Sequence, residues 1–468
     1  MVLGFIGVIV ALAVLITLAF RGHSVIYVAP LAALIGALFS GSPLLATYTQ
    51  IFMPAAGSFI INFFPLFLAG AIFGQLMSVS GYADNLATWI SATFGPKRAV
   101  LATAVATAVL TYGGISAWVI AFTIYPIGVA LFRQANLPRR LMPAAIALGI
   151  FTFATAALPG SPQIHNAIPT KFLGTTTFAA PVLGIIGSII TFGLGMAWLE
   201  YRAKKLAEAG EVFIEPKEMV KPGASTATAV GKGGTAARGM LGLLPVLVVI
   251  VMNLLFVFVF SKTMDFGYLA EKKYGETTIG AVTGVWSVTV ALATAILVIF
   301  LLSPRRFGAY IDSLSIGAKN SAVPIFSTAS EVGFGAVIAS LAVFAALQNS
   351  MFNMSDNPIL LGAVATAVIS GITGSSSGGL SITLTTFGEQ LTHLATEQGI
   401  SLEFLHRVMA MASVSFDSLP HNGAIVTLLV VCGLTHRESY KDIAVVTILG
   451  PLVGVVAIMI LGSVLPIL

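Results

Sequence analysis

The stretch Val364-Ala365-Thr366-Ala367-Val368-Ile369-Ser370-Gly371-Ile372-Thr373-Gly374-Ser375-Ser376-Ser377-Gly378-Gly379-Leu380-Ser381 decides how this chain folds. Its first half is a run of apolar and small residues too short to cross a bilayer, which takes about 20 residues of helix. Three serines framed by glycines follow, and apolar sequence then resumes. A helix that stops at membrane depth leaves backbone groups that lipid cannot satisfy, so such a break must face protein or a cavity. The pattern predicts a re-entrant hairpin with a Gly/Ser tip. Earlier in the chain, Val105-Ala106-Thr107-Ala108-Val109 matches positions 364–368 letter for letter. It runs into a second interruption of the same kind, Thr111-Tyr112-Gly113-Gly114-Ile115-Ser116.

Composition supports a lipid solvent throughout. Of 468 residues, 57% are apolar and 9% are charged, against about 25% charged in an ordinary soluble protein. A water-soluble globular enzyme is excluded, and an all-α, polytopic membrane protein is expected. About twelve membrane segments are predicted, at 2–20, 24–41, 58–80, 99–133, 141–170, 177–198, 239–261, 278–302, 320–347, 358–394, 404–434 and 443–466. The net charge of +5 comes without a basic stripe interleaved with aromatics, so no nucleic-acid partner is expected. Loop Lys and Arg on the cytoplasmic side explain the excess. The lone Cys432 excludes an intrachain disulfide framework, and no metal or cofactor is expected.

The positions of the charges give sidedness. The polar segment 199–238 holds seven Lys or Arg and reads as a cytoplasmic linker. Two spans later come Arg305 and Arg306, which must lie on the same side. Lys97-Arg98 and His436-Arg437 to Lys441 fall there too, while the loop around Asp356 falls outside. The resulting division is an extra N-terminal helix (1–23, starting outside), repeat 1 (24–198), the linker (199–238), a connecting helix and external loop (239–277), and repeat 2 (278–468). Four matches in order support the repeat: Ser42-Pro43 with Ser303-Pro304, Pro65-Leu66-Phe67 with Pro324-Ile325-Phe326, the two Val-Ala-Thr-Ala-Val runs, and His165-Asn166 with His421-Asn422. The first copy enters its hairpin from the basic side and the second from the other, so the copies are inverted. Inverted repeats with paired interruptions characterise secondary transporters, whose substrate sites lie at those interruptions.

Two pairs of interruptions define the candidate site. The hairpin tips contribute Gly113, Gly114 and Ser116 in one copy and Ser375, Ser376, Ser377, Gly378, Gly379 and Ser381 in the other. Such tips bare N–H groups at a half-helix N-terminus, which suits an anion. The bland alternative is a small-residue face for close helix packing, and it weighs more for the glycine pair than for the serine run. The broken helices contribute Leu158-Pro159-Gly160-Ser161-Pro162-Gln163-Ile164-His165-Asn166 and Ser415-Phe416-Asp417-Ser418-Leu419-Pro420-His421-Asn422, where the prolines stop the helix. Ionisable groups inside spans are functional by default. Asp417, Glu331, His165 and His421 are therefore the candidates to carry a coupled proton. A single His is more often a satisfied interhelical hydrogen bond, but His-Asn recurs at matching positions. Glu331, in Ser327-Thr328-Ala329-Ser330-Glu331, has either a proton or a partner from another helix. Asp84 and Glu389 sit nearer span ends and read as interfacial.

Two rivals are set aside. Gly374-Ser375-Ser376-Ser377-Gly378 fits the Gly-x-Ser-x-Gly nucleophile elbow, but that elbow needs a strand-to-helix turn in a sheet, and an intramembrane serine protease has no use for inverted repeats. An anion channel calls for one continuous polar pore rather than two pairs of breaks.

At these residues the chain resembles the gluconate permease (GntP) family of carboxylate:proton symporters, within a wider ion-transporter superfamily. The resemblance is best from Gly113 through Asn136-Leu137-Pro138 to Thr170 and from Gly371 to Lys441, and includes the turn Gly399-Ile400-Ser401. It implies hairpins and broken helices around the site, a small organic anion and a proton as partners, the bacterial inner membrane, and a homodimer moving by an elevator. The first break departs from the family's Leu-Pro-Pro-His-Pro-Gly-Pro-Thr pattern. The implied substrate is thus a sugar acid such as gluconate or a shorter acid such as 3-hydroxybutyrate or lactate, with sodium as the alternative coupling ion.

Overall fold

The computed structural model describes residues 2–21, 23–115, 117–215, 236–342, 355–420 and 422–465. Every regular element in them is helical. Among the described residues six helices are long and apolar enough to cross a membrane, at Leu44–Val79, Pro181–Glu208, Leu241–Thr263, Ile279–Leu302, Pro304–Ser340 and His436–Val464. Ile61 and Leu301, nearly 80% exposed, have no place on such helices except against acyl chains. The chain is a multi-pass helical membrane protein.

In chain order the helices are α1 (Val2–Phe20), α2 (Val25–Phe39), α3 (Leu44–Val79, with a π turn at Tyr48–Phe52), α4 (Tyr82–Phe94), α5 (Ala99–Tyr112) and α6 (Ala117–Gln134). Then come α7 (Met142–Ile150), α8 (Ile164–Leu173), α9 (Pro181–Glu208), α10 (Ala236–Leu255, continued through a π turn to Thr263) and α11 (Ile279–Leu302). The last are α12 (Phe307–Ser340), α13 (Pro358–Thr373), α14 (Ser376–Glu397), α15 (Leu402–Ser413), α16 (Gly423–Cys432) and α17 (His436–Val464).

Local chemistry explains the breaks. Helix α13 starts on Pro358 with Asn357 capping the N–H groups of Ile359 and Leu360, and it ends on Gly374 at φ 64°, a left-handed position glycine adopts without cost. Ser375 then caps α14 by accepting from Gly378 N at 3.1 Å. The two arms pack against each other without a spacer: a Cβ on Gly379 would strike the Ser370 backbone. The first hairpin turns at Gly113 and Gly114, the latter at φ 85°. Both predicted interrupted spans, 99–133 and 358–394, are thus helical hairpins. The spans 141–170 and 404–434 are broken helices, α7–α8 and α15–α16.

The two hairpins open toward opposite ends of the bundle. Helix α9, 28 residues and so about 42 Å long, begins where Ala180 N meets Glu403 in the first turn of α15. The feet of the second hairpin lie at that end, Gln398 donating to Asp356 O at 2.6 Å. The chain leaving α9 meets the foot of the first hairpin, through Arg133–Glu215 and Arg140–Glu211 ion pairs. Helices α3 and α12 run antiparallel: Phe52 faces Gly333, and Ile72 approaches Gly317 so closely that a Cβ there would lie 2.7 Å from the Ile72 Cα.

Several boundaries differ from expectation. Helix α3 starts at Leu44 rather than 58, and α12 at Phe307 rather than 320, because polar residues (Thr49, Gln50; Asp312, Lys319, Asn320) lower the apolarity of their first turns without breaking the helix. Helix α12 ends at Ser340, and the remainder of the predicted span to 347 lies partly outside the described residues. Helix α9 runs ten residues past 198, so the segment expected as linker begins helical. Helix α4 was not expected. It buries Tyr82, Ala83, Leu86, Ala87, Ile90 and Ser91, a stripe at helical spacing on a segment too short to register as a span.

Candidate functional site

The tip of the second hairpin is where the ionisable groups of the interior gather. Ser376, the first residue of α14, bonds His165 Nε2 of α8 through its hydroxyl at 2.6 Å, joining the first broken helix to the second hairpin. The Asp417 carboxyl, in the break between α15 and α16, faces the same Ser376 and accepts from the Ser418 hydroxyl at 3.0 Å. From α12, the Glu331 carboxyl reaches Ser375 and lies against Gly378. Glu331 and Asp417 are 6% and 4% exposed. Among the described residues no Lys or Arg pairs with either. Glu331 Oε2, His165 Nδ1, Ser370 Oγ and Ser381 Oγ are buried without a hydrogen-bond partner among the described residues. Ser375, Ser376, Ser377, Gly378, Gly379, His165, Glu331 and Asp417 thus share one locality, while Ser116 and His421 lie outside the described residues.

The asparagines have a different role from the substrate contact expected of them. Asn166 donates to Ser161 O at 3.0 Å and Thr177 O at 2.6 Å, and its Oδ1 takes Arg407 Nη1 at 2.9 Å. Asn422 donates to Asp417 O at 2.9 Å and to Gly374 O at 2.8 Å, while its Oδ1 caps α16 at Ile425 N. Each bonds the carbonyl five residues before it, so the two breaks are closed by the same device. Both amides are consumed in shaping the breaks and have little left to offer a ligand.

At the first hairpin, Gln163 Nε2 donates to Thr111 O at 2.7 Å and Ile115 O at 3.3 Å, and the Tyr112 hydroxyl donates to Pro159 O at 2.7 Å. Gly113 packs on Val246, and Gly114 on Leu292 and Pro162. Gln163 satisfies two carbonyls of this tip and both glycines meet apolar neighbours, so Gly113 and Gly114 serve close packing here. The two tips are alike in backbone and unlike in chemistry.

Sequence reasoning missed Arg407. It is fully buried on α15 and donates to Ala156 O (2.7 Å), Ala179 O (2.8 and 3.1 Å), Thr177 O (3.4 Å) and Asn166 Oδ1. Its neighbour His406 bonds the Thr175 hydroxyl at 2.7 Å and Asn166 Oδ1 at 3.3 Å. Asn253 of α10 completes the network on Gly160 O at 2.9 Å. A charge inside the predicted span 404–434 was the available signal.

Helical hairpins and broken helices whose polar groups meet in the interior are features around which membrane transporters build their sites. No family model matches the chain. It is 39% identical over 450 residues to a protein of Bacillus subtilis (strain 168) named uncharacterized transporter YxjC, covering 94% of this chain and 95% of that one. A protein of Haemophilus influenzae, also named an uncharacterized transporter, is 29% identical over 154 residues, 33% of this chain and 35% of its own. The chain belongs to the family of the B. subtilis transporter.

Proposed function

We propose that this protein imports a small organic anion together with protons across the bacterial inner membrane, by alternating access between two inverted halves. The observation that carries the proposal is the His165–Ser376 bond, which joins the first break to the second tip. The substrate carboxylate would take the first-turn N–H groups of Ser376 and Ser377 and the hydroxyls of Ser375, Ser376 and Ser377, where a helix N-terminus favours negative charge. His165 would contact it from the facing element.

Two facts favour protons as the coupling ion. Glu331 and Asp417 converge on the same tip with no cation paired to them, and a third negative charge cannot join two ionised carboxylates in a low-dielectric interior at acceptable cost. Substrate therefore enters with a proton on one of these groups, Glu331 or Asp417, with His165 and His421 as the other candidate carriers. The resemblance to gluconate permeases points to gluconate, or to a shorter acid such as 3-hydroxybutyrate or lactate. Homodimeric assembly and an elevator motion come from that resemblance alone.

The test is uptake into proteoliposomes of labelled gluconate, 3-hydroxybutyrate and lactate under an imposed pH gradient, inside alkaline. Accumulation of one acid above equilibrium supports the proposal. Uptake of none would remove the substrate assignment, and uptake driven by sodium but indifferent to pH would remove the proton.

A further inference from the structure

The Glu331 carboxylate occupies an unusual place. Helix α14 is 22 residues long, so its N-terminus carries the full partial positive charge of a helix end. Into that end, from α12, Glu331 directs a side chain that is 94% buried by its 6% exposure. Its Oε2 fills the space that a Cβ on Gly378 would need and has no hydrogen-bond partner among the described residues. Its carboxyl also reaches the Ser375 hydroxyl that caps the helix. A carboxylate belonging to the protein thus lies where a substrate carboxylate would be drawn.

We propose that Glu331 is an internal competitor for the anion-binding end of α14. Ionised, it holds the place of the substrate carboxylate; protonated, it gives up that place, so one proton is taken up for each anion bound. This rests on the substrate site proposed above and assigns its coupling to one side chain. It also explains the glycine at 378, since any side chain there would push the carboxyl away.

The surroundings leave few other groups to titrate against it. Of the elements packed on α12, helix α3 carries Tyr48 and α2 carries Tyr27, while Arg305 and Arg306 lie at the far end of α12 itself. Helix α14 carries Glu389, His393 and Glu397, at least eleven residues beyond Gly378 and so about 16 Å along the helix. On α12, Tyr310, Asp312 and Lys319 are three or more turns away. His165 and Asp417 face the neighbouring Ser376.

The experiment is binding of radiolabelled gluconate, 3-hydroxybutyrate and lactate to the reconstituted full-length protein as a function of pH, with pH-driven accumulation measured in parallel. Wild-type affinity should fall as pH rises, by up to tenfold per unit for one obligatory proton. Glu331→Gln, which keeps the shape and cannot ionise, should bind with an affinity flat to within about twofold and should lose accumulation driven by the pH gradient. A Glu331→Gln profile as steep as wild type, or a folded Glu331→Gln protein that no longer binds, overturns the inference. If that variant does not reconstitute, Glu331→Asp decides, because its shorter arm withdraws the carboxylate from Gly378. Tighter binding than wild type at high pH is expected, and a superimposable profile refutes competition. Wild-type protein that binds none of the three acids defeats the substrate site itself, and this inference with it.

Discussion

Replacing Arg407 by methionine keeps most of the side-chain volume and removes the guanidinium, so it isolates the hydrogen bonds from the packing. Five contacts are lost, but not all their acceptors are left bare. Thr177 O still accepts from Asn166 Nδ2 and Gly160 N, and Asn166 Oδ1 still faces His406. Ala156 O and Ala179 O lose their side-chain donor with no other side chain to replace it. At about 1–3 kcal/mol for each buried acceptor left unsatisfied, the cost is about 2–6 kcal/mol. Unfolding entropy scales with chain length, giving roughly 1 °C per kcal/mol in a chain this long, so the melting temperature should drop by about 2–6 °C. Thermal unfolding in detergent, with exposed Arg305→Met as control, reads this directly. Arg407→Lys, whose ammonium has three donors, should recover part of the loss. An Arg407→Met protein that melts with the control would show that the guanidinium does not hold the break.

Other perturbations test separate joints. Alanine at His165, at Ser376 and at both should give a double-mutant cycle in substrate affinity with a coupling of about 0.5–1.5 kcal/mol; simple additivity would mean that the 2.6 Å bond is absent in the binding state. Gly379→Ala should cost about 1–3 kcal/mol of stability by forcing the hairpin arms apart and should abolish uptake. Gly423→Ala, where a Cβ meets nothing within 4 Å, should melt like wild type. Arg202 and Asp442 form a buried pair at 2.7 Å that ties α9 to α17. Removing either partner should cost about 3–5 kcal/mol, and replacing both with apolar residues should restore most of it, as read by melting temperature.

The helical membrane fold was legible in the sequence because so few charged side chains cannot keep the surface of a folded chain this long in water. The hairpins were legible because glycines and serines interrupt two otherwise apolar runs. Helix α4 was not, since its buried stripe from Tyr82 to Ser91 is diluted by Asp84, Asn85 and Thr88 below any membrane signal. Within the site, His165, Ser376, Glu331 and Asp417 could be singled out as costly groups in lipid, but their meeting could not. Nothing in the letters His165-Asn166 says that the first residue leaves a ring nitrogen without a partner among the described residues while the second spends its amide on two carbonyls and the Arg407 guanidinium. That division depends on Arg407, Thr177 and Ser161 arriving from elsewhere in the chain. Arg407 obeys the rule that marks Glu331, a charge within a predicted span, but it belongs to no repeated motif, and all but one of its acceptors are backbone carbonyls that no letter announces. Cys432 is buried, so topology is better mapped with cysteines placed at the loop ends.

The central claim is that the substrate carboxylate binds at the N-terminus of α14, between the first broken helix and the second hairpin. A cryo-EM structure of the reconstituted protein with the transported acid tests it most directly. Carboxylate density is expected within hydrogen-bonding distance of Ser375 to Ser377 and of His165, with the Glu331 carboxyl displaced from Gly378. Density at the Gly113–Gly114 tip, or substrate bound with Glu331 still against Gly378, would contradict it.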